Sequence, residues 1–79
     1  MNPLQKKLLQ FFKEKDYAIN PLLVCEPLGQ DPFIVRRNVM SLVQQGFLEH
    51  KGYLTRVNRL LPLYQITDHG KKRLGSKSI

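Results

Sequence analysis

The sequence predicts an α+β chain: a three-helix bundle, then a hairpin of two or three antiparallel strands, then a short C-terminal helix. Asparagine or aspartate precedes proline at Asn2-Pro3, Asn20-Pro21 and Asp31-Pro32, a pairing that starts helices. Apolar residues recur at helical spacing as far as Leu42 and in strand-like runs after Gly46. A length of 79 residues, 42% apolar and 24% charged, suits one foldable domain over residues 1–79 and leaves no material for a second.

Asn2 caps the first helix and Pro3 takes its first position, where the missing N–H would have no partner anyway. Leu4, Leu8, Leu9, Phe11 and Phe12 form one apolar stripe, and the helix runs to about Lys15. Asn20-Pro21 opens a short second helix through Leu22, Leu23, Val24 and Cys25. Pro27 ends it between Glu26 and Leu28, with Gly29 in the turn. Asp31 caps the third, over 32–45, in which Val35, Val39 and Leu42 face inward and Gly46 marks the stop. Phe47-Leu48-Glu49-His50 and Leu61-Pro62-Leu63-Tyr64-Gln65-Ile66 read as antiparallel strands. The connection Lys51 to Leu60 is expected to have a solvated, basic tip, with Gly52 and Val57-Asn58 as rival turn sites. Pro62 puts its strand at an edge or a bulge. Thr67 caps a last helix through Leu74, and residues 75–79 are expected to be a flexible tail.

The net charge is +7, distributed as +2 over residues 1–16, 0 over 17–46 and +5 over 47–79, so the attraction for polyanions belongs mainly to the last third. One cysteine, Cys25, excludes an internal disulfide and is expected to be buried and unreactive. His50 and His69 have no partner at metal-ligand spacing and read as surface residues. Phosphate-binding loops and paired carboxylates do not occur, so neither an enzyme nor a cofactor is expected. No apolar run spans a membrane and the first residues lack a signal peptide, so no membrane partner is expected and the cytoplasm is the default location.

Three segments carry a family resemblance. Leu23-Val24-Cys25-Glu26-Pro27-Leu28-Gly29 resembles the second helix and turn of winged helix-turn-helix domains. Val35, Val39, Leu42, Gly46, Phe47 and Leu48 reproduce the spacing of the third-helix core and the glycine entry into the wing. Tyr64-Gln65-Ile66-Thr67-Asp68-His69-Gly70 looks like the Tyr-x-Leu-Thr-x-x-Gly close of the wing in many bacterial and archaeal regulators. The resemblance covers residues 4 to 74. Pro27 and the long connection before Pro62 depart from the pattern.

The resemblance implies a sequence-specific double-stranded DNA-binding transcriptional regulator, with helix 32–45 in the major groove and wing 51–60 on the backbone or minor groove. The outward side of the third helix carries Phe33, Arg36, Arg37, Met40, Ser41 and Gln44, with Pro32 at its start. Arg36 or Arg37 would pair with guanine, and Ser41 and Gln44 would read bases or phosphates. Phe33 either folds back on the second helix, the preferred reading, or packs over thymine methyls. Met40 is similar, and a hydrophobic partner surface is a third reading for both. Arg56 and Arg59, assisted by Lys51, would reach phosphates or the minor groove. Lys71, Lys72 and Arg73 add long-range attraction, while Lys6 and Lys7 either flank the backbone or are solvated. A monomer, or a weak homodimer assembled on DNA, is expected, because no long terminal helix is available for a dimer bundle. The alternative is a protein-interaction module in which Phe33, Met40 and Leu60-Leu61-Pro62-Leu63 form an apolar patch. Recognition of structured RNA is a third and weaker alternative.

Overall fold

In the computed structural model, which describes residues 1–75, the elements follow in the order α1 (Pro3–Lys15), α2 (Leu22–Leu28), α3 (Pro32–Gln44), β1 (Leu48–Arg56), β2 (Arg59–Ile66) and α4 (Asp68–Gly75). The start signals act as local chemistry requires. The Asn2 side chain accepts the Gln5 N–H at 2.7 Å, and the Asp31 carboxylate accepts that of Phe33 at 2.7 Å. Asn20 does more: its side chain accepts the Leu22 N–H and donates to the Pro62 carbonyl at 2.7 Å, joining the start of α2 to the hairpin. Pro27 lies in the last turn of a seven-residue helix, so it removes one bond at an end that stops anyway. The third helix ends one residue before the expected Gln45. Gly75 belongs to α4 rather than to a tail, and residues 76–79, the rest of the expected flexible tail, lie outside the described residues.

The hairpin differs most from expectation. The stretch Lys51 to Leu60 is not a loop between two short strands. It is paired strand on both sides of a two-residue turn at Val57-Asn58, whose φ values of 47° and 60° match the twist of the flanking strands. Phe47 precedes β1 instead of belonging to it. Gly52, the rival turn site, is the place where the register slips: His50 pairs with Tyr64 and Gly52 with Leu63, leaving Lys51 as the extra residue of a β-bulge. At φ 125° the Gly52 backbone lies where a side chain is strained. The sheet has two strands, and the expected option of a third is reduced to one bridge, Ile19 to Tyr64, with N–H···O bonds of 2.9 and 2.8 Å. Pro62 therefore belongs to a strand with a full ladder to β1 on one side and little ladder to lose on the other.

Leu8, Leu9 and Phe12 of α1, Val24 of α2, and Val35, Val39 and Leu42 of α3 fill the core with Leu48, Tyr64 and Ile66 of the hairpin. Burying side chains of this size contributes about 1.5–3 kcal/mol each. An amide pair seals the α1–α3 seam: the buried Gln5 donates to Asn38 Oδ1 at 3.0 Å, and Asn38 donates in turn to the Ile34 carbonyl at 2.8 Å. The root of the hairpin is latched by Thr67. Its hydroxyl donates to the Gly46 carbonyl at 2.6 Å and accepts the Gly70 N–H at 3.0 Å, while its own N–H reaches the Phe47 carbonyl at 3.0 Å. Among the described residues, no helix is long and apolar enough to cross a membrane.

Candidate nucleic-acid interface

With Val35, Val39 and Leu42 committed to the core, the opposite side of α3 is left to solvent. Phe33, Arg36, Arg37, Met40, Ser41 and Gln44 border one open depression of about 370 Å³ along it. The preferred sequence reading of Phe33, as a residue folded back on the second helix, is corrected: its ring is 69% exposed. The reason is positional, because Phe33 is two residues before Val35 and points about half a helical turn away from the core. Met40 is held at the edge of the face, its Sδ accepting the Tyr64 hydroxyl at 3.7 Å. Ser41 is half-buried and its Oγ accepts from Gln45 Nε2 at 3.1 Å. Pro32 is exposed at the helix start but has no N–H to offer, and the Phe33 N–H beside it is taken by the Asp31 carboxylate. The start of α3 is consequently a weak seat for an anion.

The hairpin presents its charge at the far end. Arg56 and Arg59 are direct cross-strand partners flanking the turn, both exposed, and like charges so placed repel one another until an anion joins them. Lys51, expected to lie in the connection, is in β1 at the bulge, with its Nζ 3.8 Å from the Glu49 carboxylate. It is well removed along the strand from the arginine pair.

Between α3 and the hairpin runs a second, larger groove of about 750 Å³, floored in part by Val39, Val43 and Tyr64. The bulge makes it possible. Residues 50 and 53 would point to opposite faces of a regular strand. The extra residue brings His50 and Tyr53 to the same face, where their rings are 4.7 Å apart and His50 lies 5.4 Å from the Tyr64 ring. Leu22, Tyr53 and His50 were missed as site residues by sequence reasoning. A glycine inside a strand-like run, at Gly52, is the signal that could have found the last two.

The remaining singled-out residues take structural places. His69 stacks on Phe47 at 4.9 Å, and no group of metal-ligating side chains occurs among the described residues. Cys25 is buried, and burial first, then the Asp31 carboxylate, raises its thiol pKa from the ordinary 9.0. Lys71 reaches back to Asp16 at 3.1 Å, tying α4 to the end of α1, while Lys72 and Arg73 are exposed.

The helices and hairpin align with a solved structure, a cysteine-to-serine mutant of MarR from E. coli complexed with operator DNA, at a TM-score of 0.72 and 21% identity over 99% of this chain. The fold is a winged helix. The alignment covers 58% of the MarR chain, so this chain spans little more than half of that protein's length. No protein-family model and no curated protein sequence matches. In the winged-helix frame, α2 and α3 form the helix-turn-helix and β1 with β2 is the wing. The sequence resemblance over Leu23 to Gly29 and Tyr64 to Gly70 corresponds to α2 with its turn, and to the wing root with its Thr67 latch.

Proposed function

We propose that this chain binds duplex DNA and regulates transcription, with α3 entering the major groove and the wing tip on the backbone or in the adjacent minor groove. The observation that carries the reading is the α3 face: Arg36, Arg37 and Gln44 stand exposed on one side of a helix whose other side is fully committed to the core. An α-helix fits the major groove, where an arginine pairs with guanine O6 and N7 for about 1–3 kcal/mol of discrimination. The Arg56/Arg59 pair at the wing tip adds phosphate or minor-groove contacts, where a polyanion relieves its cross-strand repulsion. Support also comes from the operator-bound MarR structure of the same fold. Phe33 and Met40 would meet thymine methyls, and Ser41 and Gln44 base edges or phosphates.

The test is selection of duplexes from a random library, followed by affinity measurement of the enriched and an unrelated duplex against the parent protein and Arg36→Ala/Arg37→Ala. The double variant is expected to lose specific affinity far more than nonspecific affinity. Failure to enrich any duplex, or an equal loss on both, refutes the reading. Arg56→Ala/Arg59→Ala is expected to weaken both duplexes alike and to flatten the salt dependence, since those side chains carry phosphate charge rather than sequence.

A further inference from the structure

We infer that the groove between α3 and the wing is a docking site for an acidic, amphipathic helix of a partner protein. Its walls come from three parts of the chain: Leu22 of α2, Phe33 and Met40 of α3, and Tyr53 and Leu60 of the wing, each between 43% and 69% exposed. Five of the eleven large apolar side chains exposed among the described residues meet in this one concavity, and such a cluster, unlike single exposed residues, marks an interaction site. The charge at the groove is of one sign. Arg36 and Arg59 line it, and no Asp or Glu does among the described residues.

The occupant must therefore be apolar on one side and anionic on its flanks. A duplex does not meet the first condition, because its backbone is polar and its groove edges offer an apolar wall little beyond thymine methyls. A single strand would need aromatic faces on which to stack. Phe33 and Tyr53 are two such faces, but Leu22, Met40 and Leu60 complete the wall and offer nothing to stack on, whereas an apolar helix face uses all five. Leucine and methionine grooves accept the i, i+3, i+4 and i+7 anchors of an amphipathic helix, whose acidic flanks would pair with Arg36 and Arg59. Arg36 also belongs to the α3 face assigned to DNA, so helix and duplex exclude one another; this last clause rests on the proposed DNA binding.

The probe is a fluorescein-labelled peptide of about 18 residues with leucine and phenylalanine at those anchor spacings and glutamate elsewhere. It is compared with a scrambled peptide of the same composition and with oligo-dT. Leu60→Ala and Tyr53→Ala remove exposed side chains and leave the core intact, while Leu23→Ala, 62% exposed and outside the groove, serves as control. The amphipathic peptide is expected to bind roughly tenfold tighter than the scrambled one, and to lose roughly fivefold to tenfold in each groove variant and nothing in the control. Equal binding of the scrambled peptide, indifference to the groove substitutions, or tighter binding of oligo-dT with the same sensitivity overturns the assignment. Peptide binding that a selected duplex fails to displace leaves the groove assignment standing and removes the exclusion.

Discussion

Gly70→Ala isolates the contact that fixes the wing to the helical body. Gly70 lies in α4 with an ordinary helical backbone, so propensity alone favours alanine by about 1 kcal/mol. Tertiary packing opposes it. A methyl at this position would collide first with the Phe47 carbonyl oxygen, then with Ile66 Cγ1 at 2.8 Å and the Phe47 carbonyl carbon at 3.1 Å. Two of these atoms are backbone at the entry to β1, so relief requires α4 to back away, stretching the Thr67 bonds at 2.6 and 3.0 Å. Overpacking of this stiff kind costs about 3 kcal/mol, which leaves a net loss of about 2 kcal/mol. At about 4–8 °C per kcal/mol for a domain of this size, the midpoint of thermal unfolding falls by about 8–16 °C. Circular dichroism melts, with urea titrations to confirm an unchanged m-value, measure it. A Gly70→Ala protein as stable as its parent would refute the account of Gly70 as a close-packing residue.

Val57 occupies the left-handed region at φ 47° with a β-branched side chain, so Val57→Asn is expected to gain about 1 kcal/mol in urea unfolding; a loss would disprove the turn geometry. Asn38→Ala strands the buried Gln5 amide and is expected to cost about 1–3 kcal/mol, whereas replacing the exposed Gln44 leaves stability within about 0.5 kcal/mol. The Cys25 thiol holds its proton more tightly when folded, so stability is fully present below pH 9.0, the ordinary thiol value, and declines as pH rises through the higher folded pKa. Denaturant midpoints from pH 8 to about 10.5 should follow that course relative to Cys25→Ala, and a rise with pH would contradict it.

The parts legible in the sequence are those decided within one turn of chain. Asn2, Asn20 and Asp31 each hydrogen-bond an N–H two or three residues ahead, so the helix starts could be read directly. The outward face of α3 followed from Val35, Val39 and Leu42 by periodicity. What failed depended on partners far away in sequence. Lys51 to Leu60 has the composition of a loop and becomes strand because each side pairs with the other across the Val57-Asn58 turn. Phe33 stays outside because Val24 of α2 and Val35 of α3 already occupy the core. The large groove was invisible because Leu22, Met40 and Leu60 meet only after the fold has formed, and because the bulge at Lys51 reverses the alternation that the strand pattern suggests.

That bulge divides the wing into two independently adjustable halves. Leu48 and Ile66, below it, are anchored in the core and fix the direction in which the hairpin leaves the body. Everything beyond His50 takes its facing from its partner in β2, in a register set by the Val57-Asn58 turn. Removing Lys51 would leave His50 opposite Tyr64, Gly52 opposite Leu63 and Tyr53 opposite Pro62, so Tyr53, Leu54 and Thr55 would keep their faces and only the extra bend and twist of the bulge would be lost. A residue lost at that point thus re-aims the outer hairpin relative to the helical body while each wing face keeps its own side chains.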